Sequence, residues 1–503
     1  MKEGLTAPGN RKVALINFFN PKSLGIRFIE QALSEAGYDV VMLHIGGFRG
    51  AYSVKPGEAE IREFMELLGE PLWIGFSVIS YFYQEIAAEV TELIRQITKA
   101  PLVWGGVYTT LLPDRCLDFC DYVIRGEGEA SAVEFSERLA AGADVSDMQN
   151  LAYRANGETV VNPVRPFETN LDLLGVAELG LSNKYFINDG KLYQADPGLD
   201  SYSYETSASR GCPYACTYCS SSNLKRMYGN ASHYTRYRSA RHVIDELKSA
   251  KAKMKNLSLI RFWDEVFSSD PAWIDEFSAL YKSEIGIPFE MWTHPLKING
   301  AMISKLVGAG MRFVGMGIQS GSPEVRKKVF RRAESQEQIM QAAKTLADCR
   351  VPQVVYDFII GHPLETAEQM KESYALCSEL PGKFTLQLHG LAFLPGTDIV
   401  EETIKRGVFT REEMDAIMYK PMERLYLAWN VAEVTDPEKL FWYRVTYLTQ
   451  FPTLRGAARR LSQKPGEEKS RKKAARYYSL SRYFSKLRLV RNKGINVILE
   501  RRK

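Results

Sequence analysis

The sequence predicts an α/β protein with two successive parallel-sheet units, a doubly wound sheet followed by a partial barrel. Short apolar segments alternate with amphipathic helical segments over residues 12–141, and six further strand–helix units follow from residue 205. A chain of 503 residues is long enough for two or three domains. We divide it into an α/β domain (1–149), a hairpin and linker (150–204), the barrel (205–400) and a helical C-terminal region (401–503).

Five apolar segments predict the strands of the first domain, and amphipathic segments between them predict helices near residues 23–36, 58–68, 84–98 and 130–140. Such alternation is typical of a doubly wound, Rossmann- or flavodoxin-like sheet, in which ligands bind beyond the carboxyl ends of the strands. No GxGxxG follows the first strand, so a dinucleotide ligand is not expected. The predicted strands are Val13–Phe18, Val40–Leu43, Leu72–Ser77, Leu102–Gly106 and Tyr122–Arg125.

The connector contains a predicted hairpin, because two β-prone segments, Leu151–Arg154 and Thr159–Val161, flank an Asn156-Gly157 turn. The stretch from there to Ser203 is expected to be an ordered linker. The barrel that follows would carry its chemistry at the carboxyl ends of its strands. These strands are expected near residues 205–211, 257–264, 289–294, 312–319, 354–361 and 384–393.

Three of the seven cysteines lie within eight residues, at Cys212, Cys216 and Cys219. Thiolates this close on a glycine- and proline-containing loop suit a polynuclear metal site better than a disulfide framework. A structural zinc ion would need a fourth nearby ligand, and the next histidine, His233, is too distant to complete a compact site. A cubane [4Fe–4S] cluster needs only three if its fourth iron is left open for a substrate. The alternative is three buried thiols without a metal.

The CxxxCxxC spacing resembles that of the radical S-adenosylmethionine (SAM) superfamily, and the six strand–helix units resemble its partial (βα)6 barrel. The resemblance implies a [4Fe–4S] cluster on the three cysteines, with SAM bound at the open iron. It also implies a 5′-deoxyadenosyl radical that abstracts hydrogen from an unactivated carbon. An external electron donor of the flavodoxin or ferredoxin type is then expected as a partner.

Residues after the first and second barrel strands match positions that contact SAM in this family. Tyr218, beside the third cysteine, stands where the family has an aromatic residue against the adenine. Asp264 and Glu265 stand where the family has a short acidic or glycine-rich turn that holds the SAM amino group, and carboxylates suit this task because they accept N–H bonds. The alternative for this turn is an exposed helix cap, Asp264 or Ser268, before Pro271.

The fourth barrel strand ends in Gly315–Ser322, which resembles the family's GxESGS segment with Gln319 in place of Glu. The resemblance assigns Gln319 to the ribose hydroxyls, and Ser320 and Arg326 to the methionyl carboxylate. Asp357–Thr366 and Leu394–Thr397 are similar to the family segments that end strands five and six.

Three histidines, His294, His362 and His389, lie in or just after strands three, five and six. They are the catalytic candidates, because a histidine that lines a substrate cavity can move protons. The alternative for each is a hydrogen-bonded structural histidine.

Two segments of the first domain, Trp104–Thr110 and Arg125–Glu129, resemble the cobalamin-binding domain that precedes many radical SAM barrels. The DxHxxG motif that supplies an axial histidine in other cobalamin proteins is absent, since Met42 stands two residues before His44; radical SAM members commonly lack it too. Tyr108 stands where the family often has histidine. The alternative is a sheet that only supports the barrel. The resemblance places these residues against cobalamin: Ser77, Gly105, Gly106, Tyr108, Thr109, Gly126 and Glu127.

The C-terminal end is strongly basic: residues 455–503 contain 17 Lys or Arg and 3 Asp or Glu, whereas the whole chain has a net charge of +5. A helical projection places Tyr477, Ser481, Phe484 and Leu487 on one face. Three roles remain open for this tail: packing on the barrel, peripheral contact with an anionic membrane, and RNA binding. Because no recognised RNA module accompanies the charge, nucleic-acid binding is not expected.

The apolar fraction of 45% and the charged fraction of 25% are typical of globular proteins, and no apolar window is long enough to span a bilayer. The first residues lack an apolar signal-peptide core, so a cytoplasmic location is expected.

The expected function is that of a cobalamin-dependent radical SAM methyltransferase acting on an sp3 carbon of a small-molecule, lipid or peptide substrate. A first alternative keeps both cofactors but ends in cyclisation, rearrangement or carbon–carbon coupling. A second is a non-catalytic iron–sulfur protein that binds RNA or membranes.

Overall fold

The computed structural model describes residues 10–483, apart from residues 21, 47, 50, 51, 54, 178, 181, 230 and 421–433. Within them the chain forms one sheet of nine strands and one of six, together with two small two-stranded sheets. Helices lie between the strands of both large sheets, which confirms the predicted α/β class.

The strands of the described residues are β1 Lys12–Phe18, β2 Asp39–Ile45, β3 Phe48–Arg49, β4 Tyr52–Ser53, β5 Trp73–Ser77, β6 Leu102–Gly105, β7 Tyr122–Ile124, β8 Leu151–Ala155, β9 Glu158–Val161, β10 Lys184–Asn188, β11 Lys191–Tyr193, β12 Ser203–Thr206, β13 Ser209–Arg210, β14 Arg236–Tyr237, β15 Leu259–Phe262, β16 Phe289–Thr293, β17 Met311–Gln319, β18 Gln353–Ile359 and β19 Thr385–His389.

The α-helices are α1 Leu24–Glu35, α2 Glu58–Leu68, α3 Gln84–Arg95, α4 Val107–Leu111, α5 Pro113–Cys116, α6 Glu129–Ala140, α7 Ser220–Met227, α8 Ala240–Lys253, α9 Pro271–Leu280, α10 Gly300–Ala309, α11 Gln336–Asp348, α12 Ala367–Glu379, α13 Asp398–Lys405, α14 Arg411–Met418, α15 Pro437–Leu448, α16 Pro452–Ser462 and α17, residues 468–483. Short 3₁₀ helices span Tyr81–Tyr83, Leu171–Leu174 and Pro295–Lys297, and π-helical turns span Tyr281–Ile285 and Val325–Val329.

The nine-stranded sheet has the order β11-β10-β2-β1-β5-β6-β7-β8-β9. Its parallel centre, β2-β1-β5-β6-β7, has the 2-1-3-4-5 order of flavodoxin-like folds. The strand β1 is buried at every residue except the first, as expected of a parallel strand with helices on both faces. Because the order reverses between β1 and β5, a crevice opens at the carboxyl ends of these strands.

The connector contributes more to this sheet than the predicted hairpin. That hairpin, β8 and β9, extends the sheet beyond β7, while β10 and β11 extend it at the opposite edge. The sequence led us to expect a linker at β10 and β11, because both strands are short and mix polar with apolar residues. A buried ion pair holds the connector to α1, with Arg27 Nη2 2.9 Å from Asp196 Oδ1.

The six-stranded sheet follows chain order, β12-β15-β16-β17-β18-β19, and each neighbouring pair is parallel. Ile260 and Phe262 on β15 join Val314 and Met316 on β17 in one apolar core with the surrounding helices. Residues between them, such as Arg261, face the other side, because successive side chains of a strand point in opposite directions. The carboxyl ends of all six strands meet at one end of this partial barrel, where the predicted site residues follow them.

The last helices pack near the opposite end of the barrel. Gln450, which follows α15, accepts a hydrogen bond from Leu386 N near the start of β19, at 3.3 Å. Tyr478 of α17 contacts Tyr443 and Tyr447 of α15, with ring centroids 5.9 and 5.0 Å apart. The described part of the basic tail therefore packs on the barrel domain.

Only part of the predicted tail face can be compared with the structure. Tyr477 is half-buried and Ser481 is buried, as that face requires. Phe484 and Leu487 lie outside the described residues.

None of the described helices combines the length and the apolar character that a membrane span requires.

Candidate active site

Backbone contacts fix the cysteine loop, which follows β13. Gly211 has a φ of +86°, and a Cβ there would overlap a neighbouring carbonyl, so glycine is needed. Thr217, between the second and third cysteines, donates from N to Phe330 O at 3.2 Å and from Oγ1 to Val329 O at 2.7 Å. Its carbonyl accepts from Ile399 N at 2.9 Å. The loop is thereby tied to the π-helical turn before Phe330 and to α13.

The thiols of Cys212, Cys216 and Cys219 are free and share this loop. Burial raises the pKa of Cys212 to about 12 and also raises the pKa of Cys219. Three thiols on one loop are the donor set of a thiolate-bound metal centre, and a bound metal would displace their protons.

Among the described residues, no three His, Cys, Asp or Glu side chains converge on a point that could hold a single metal ion. A cluster differs from a single ion because each thiolate binds a different iron, so the three sulfur atoms need not converge.

An arginine that the sequence analysis did not single out lies beside the loop. Arg332 donates from Nε to Glu334 Oε1 at 2.6 Å and from Nη2 to Gly317 O at 2.6 Å. Its Nη1 lies 3.3 Å from Tyr218 Oη and 4.0 Å from Cys216 Sγ. Arg332 and Glu334 are both buried and form an ion pair. The guanidinium of this pair lies on the side of the Cys216 sulfur.

His294 belongs to the same buried group. Its Nδ1 accepts from Leu296 N at 3.2 Å, and its Nε2 lies 3.4 Å from Glu334 Oε2. The Tyr214 ring stacks on the imidazole, with centroids 3.9 Å apart. Burial lowers the pKa of His294 more than Glu334 raises it, which favours a neutral ring. Of the two roles considered for His294, these contacts favour the structural one.

Asp264 and Glu265 have different surroundings. Asp264 is buried and accepts bonds from Ala208 N at 3.1 Å and from Ser209 Oγ, so it supports the backbone that leads into the cysteine loop. Burial raises the pKa of Asp264 to about 7. Glu265 lines the large cavity described below, which leaves its carboxylate accessible to a ligand. The helix-cap alternative is not what the structure shows, because Asp270 caps α9.

The fourth strand ends in a strained turn over a buried arginine. Gln319 has a φ of +70°, at an irregularity in the pairing of β17 with β18. Arg326 is fully buried and donates from Nη1 to Ser320 O at 2.7 Å. Its Nε and Nη2 have no hydrogen-bond partner among the described residues. A buried cation with free donors fits a missing anion, such as the carboxylate of SAM.

The other two candidate histidines differ in accessibility. His362 is buried, and neither ring nitrogen has a hydrogen-bond partner in the described part of the chain; burial lowers its pKa to about 3. His389 is half-buried, with Nε2 3.8 Å from Asp357 Oδ1. Burial raises the pKa of Asp357 to about 7. The pair Asp357 and His389 is therefore the better placed to exchange protons near neutral pH, and the sequence analysis did not single out Asp357.

A large cavity lies between the carboxyl ends of the first sheet and the cysteine loop. It encloses about 1580 Å³ of empty space, counting its open mouth. The enclosed part has a volume of about 450 Å³, which lies within the roughly 300–1,000 Å³ of pockets for drug-sized ligands. The first domain contributes Gly105, Gly106 and Gly126 to its wall, and the barrel domain contributes Gly211 and Trp263. One cavity thus touches both predicted cofactor regions.

The structure brings most of the predicted cobalamin residues together and separates two of them. Ser77, Gly105, Gly106, Gly126 and Glu127 line the cavity. A Cβ at Gly106 would lie 2.7 Å from a backbone oxygen, so the close approach of β5 requires glycine there.

Tyr108 and Thr109 do not line the cavity, because α4 begins at Val107 and turns their side chains away. The Tyr108 hydroxyl donates to Gln84, and Thr109 Oγ1 donates to Gly106 O at 3.0 Å. No histidine is among the described residues that line the cavity, and His44 is buried within β2.

Ion pairs join the two domains at the cavity's edge. Arg210 Nη2 lies 2.5 Å from Glu129 Oε1, and Arg236 Nη1 lies 3.1 Å from Glu127 Oε2. Burial tends to raise the pKa of Glu129, but Arg210 outweighs burial and leaves that pKa below its usual value. The first domain is therefore docked on the barrel by buried, opposite charges.

Two family models match the chain in the order that the fold displays. A B12-binding domain matches residues 19–136, and the radical SAM superfamily matches residues 206–377.

Two known methyltransferases are similar to this chain over most of its length. An uncharacterized methyltransferase of Pyrococcus horikoshii is 28% identical, over 65% of this chain and 67% of its own. The cytidylyl-2-hydroxyethylphosphonate methyltransferase of Streptomyces wedmorensis is 23% identical, over 78% of this chain and 79% of its own.

The solved structure of OxsB, a cobalamin-dependent SAM radical enzyme with aqua-cobalamin bound, superimposes with a TM-score of 0.65. It is 14% identical, and the match covers 94% of this chain and 76% of that one, which supports the fold. The chain therefore combines a B12-binding domain with a radical SAM domain, and these two domains imply a [4Fe–4S] cluster, SAM and cobalamin as cofactors.

Proposed function

We propose that this enzyme transfers a methyl group to an unactivated sp3 carbon of a small-molecule, lipid or peptide substrate. When bound, SAM and the reduced cluster would supply a 5′-deoxyadenosyl radical, and methylcobalamin would supply the methyl group. A cytoplasmic location, expected from the sequence, suits an enzyme that depends on a strong reductant.

The shared cavity is the observation that carries this proposal. Both the hydrogen abstraction and the methyl delivery must reach the same substrate carbon. Gly105 and Gly126 from the first domain and Gly211 from the cysteine loop border one continuous space, so both groups can act on a substrate held there. The two methyltransferase relatives support the same reading.

The chain's own residues have separable tasks in this proposal. Cys212, Cys216 and Cys219 hold the cluster, and the free donors of Arg326 bind the methionyl carboxylate. Glu265 accepts from the SAM amino group at the cavity wall. The Trp263 ring stacks on Trp292, with centroids 4.4 Å apart, and forms an apolar wall that keeps water from the radical.

The reaction balances when two molecules of SAM are consumed. One loses its methyl group and leaves as S-adenosylhomocysteine, while the other accepts one electron and is cleaved to methionine and the radical. The radical takes a hydrogen atom from the substrate and leaves as 5′-deoxyadenosine. A second electron would restore the methyl acceptor to the state that takes a methyl group from the next SAM, so each turnover needs two electrons from an external donor.

Incubation of the reconstituted holoenzyme with SAM carrying a deuterated methyl group tests the proposal without a known substrate. Under anaerobic, reducing conditions, we expect 5′-deoxyadenosine, S-adenosylhomocysteine and cobalamin carrying the deuterated methyl group, each identified by mass spectrometry. The Cys212→Ala variant should lose the first product.

Formation of 5′-deoxyadenosine without S-adenosylhomocysteine would reject methyl transfer in favour of cyclisation, rearrangement or coupling. Formation of neither product would favour the non-catalytic alternative.

A further inference from the structure

The segments that support the cysteine loop carry an exposed, basic surface. Phe330 and Ile399 both form backbone hydrogen bonds with Thr217 in the loop. Arg331 directly follows Phe330, and Asp398 directly precedes Ile399. We define the loop-side basic surface as six exposed side chains on α7, the π-helical turn and α13: Arg226, Lys327, Lys328, Arg331, Lys405 and Arg406.

Contacts with α13 join the segments that carry these side chains. Asp398 accepts from Arg226 Nη1 at 2.9 Å and from Arg331 Nη1 at 2.5 Å, so it joins α7 to the residue after Phe330. Arg406 Nη2 donates to Lys328 O at 3.2 Å, which joins α13 to the π-helical turn.

The surface keeps an excess of positive charge. Three acids form salt bridges with side chains of this surface. Asp398 pairs with Arg226 and Arg331. Glu324 pairs with Lys328 at 3.0 Å, and Glu402 pairs with Arg406 at 2.7 Å. Glu337 is a fourth acid, which interacts with Lys327, so six cations meet four anions, all in contact with solvent.

Arg331 lies at a sharp turn beside the cysteine loop. Its φ is +51°, in the left-handed region that non-glycine residues rarely adopt. Its neighbour Phe330 accepts a hydrogen bond from the backbone N of Thr217, which directly follows Cys216 in the loop. The Phe330 ring also contacts the Tyr218 ring edge-on, with centroids 5.0 Å apart. Positive charge is thus held directly behind the loop that is expected to bind the cluster.

We propose that the loop-side basic surface is the docking site of a small, acidic electron-transfer protein that reduces the cluster. The proposal rests on the proposed function, which requires an external donor of single electrons. In each step the donor's reduced flavin or iron–sulfur group loses one electron, and the cluster gains it. Charge complementarity suits such a partner, because electron-transfer complexes are small, transient and steered by opposite charge.

Charge reversal provides the test, with an acidic flavodoxin as the probe. The double variant Lys327→Glu/Lys405→Glu removes two exposed cations from the surface without touching the cysteine loop. The matched control is Lys255→Glu/Lys282→Glu, because both lysines are exposed and precede β15 and β16, at the opposite end of the barrel.

With reduced flavodoxin at low ionic strength, we expect the surface variant to form 5′-deoxyadenosine about tenfold more slowly than the unmodified enzyme. The difference should shrink at high salt, because screening weakens the attraction. With dithionite as reductant, the two rates should be equal. The control variant should match the unmodified enzyme with both reductants.

A surface variant that keeps its flavodoxin-driven rate would overturn the proposal, as would an equal loss in the control. An equal loss with dithionite would also overturn it, since the residues would then act on the site itself.

Direct titration of flavodoxin into the protein separates this proposal from the proposed function. If the enzyme cleaves no SAM with either reductant, the proposed function fails. Salt-dependent flavodoxin binding that is lost only in the surface variant would still support the docking site, and unchanged binding would reject it.

Discussion

The two sheets of this enzyme present opposite chemistry to the same cavity. The strands of the first sheet end in glycines, so the wall at Gly105, Gly106 and Gly126 is largely backbone. The barrel domain contributes charged side chains to the same cavity, among them Arg210, which pairs with Glu129, and Arg236, which pairs with Glu127. The difference suggests that the first sheet holds a large ligand by shape, whereas the barrel holds SAM and the cluster by charge and by direct ligation.

Removal of the cysteines should have the largest effect, because it should abolish the function of the barrel and leave the first domain unchanged. The triple variant Cys212→Ala/Cys216→Ala/Cys219→Ala should lose all iron and sulfide and all 5′-deoxyadenosine formation, since no ligand for the cluster remains. It should still retain cobalamin, which the other sheet binds. Metal analysis and product chromatography measure the two effects, and Cys349→Ala and Cys377→Ala are the controls. Iron retained in the triple variant would contradict the assignment.

A side chain at Gly105 should have the converse effect. A Cβ there would meet only Ile124 O, at 3.8 Å, so Gly105→Val fits the backbone and fills part of the cavity. We expect cobalamin to bind at least about tenfold more weakly, with full iron content. Absorbance after gel filtration gives the retained cobalamin, and Gly308→Val, on an exposed helix, is the matched control. Normal cobalamin binding would mean that the ligand does not approach this wall.

The ion pair between Arg236 and Glu127 tests how far the two halves depend on each other. The Arg236 side chain is 4% exposed, so Arg236→Met removes the nearer of the two cations around Glu127 and leaves only Arg210, whose Nη1 lies 3.7 Å from Glu127 Oε2. The expected cost is about 3 kcal/mol in the free energy of unfolding. Arg241→Met breaks a pair whose arginine is 45% exposed and should cost at most about 1 kcal/mol. Equal midpoints in chemical denaturation of the apoproteins would contradict a docked interface.

Each of the two domains contains a buried histidine whose pKa is strongly lowered, His44 in the first and His362 in the barrel. Burial lowers the pKa of His44 and of His362 to about 3, against about 6.5 in an unfolded chain. The folded state thus favours the neutral ring, and its stabilising effect is complete above pH 6.5 and is lost as the pH falls below it. As the pH falls from 6.5 to 5.5, each histidine should lower the free energy of unfolding by at most about 1.4 kcal/mol.

His44→Gln and His362→Gln should each flatten this slope, as measured by denaturation across that pH range. His44→Gln should also leave the paramagnetic resonance spectrum of cob(II)alamin unchanged, because His44 does not line the cavity. Loss of nitrogen splitting in that variant would show that His44 binds the cobalt.

The basic tail should have the smallest effect, because α17 packs on α15 and both large sheets lie elsewhere. We expect Lys472→Glu/Lys473→Glu, on exposed residues of α17, to weaken binding to anionic liposomes severalfold and to leave both cofactors bound. Co-sedimentation at low and high salt is the measurement. Binding by the unmodified protein that is absent or insensitive to salt would restrict the tail to packing.

The sequence predicted the architecture well because each strand–helix unit is a local pattern. The five central strands of the first sheet and all six barrel strands are confirmed. The strands β10 and β11 were not predicted, since β10 is held by pairing with β2, about 140 positions away, and β11 pairs only with β10.

The position of a residue in the site was predictable where a motif fixes the backbone. The direction of a side chain was less predictable. Gly105, Gly106 and Gly126 line the cavity as expected, whereas Tyr108 and Thr109, from the same motif, face away because a helix begins at Val107. Arg332 and Glu334 carry no motif, and only the left-handed turn at Arg331 brings them beside the loop. In the sequence, the only feature that could have pointed to these two site residues is an arginine and a glutamate two residues apart on a loop.

The cavity wall that two domains share has a thermodynamic consequence. A ligand that touches both domains binds only their closed arrangement, so it stabilises the interface by mass action as well as serving the chemistry. At a free concentration 100 times its dissociation constant, this linkage contributes about 2.7 kcal/mol. Cobalamin would then act as a structural element between the two sheets, and cells short of it would contain an enzyme that is less stable as well as inactive.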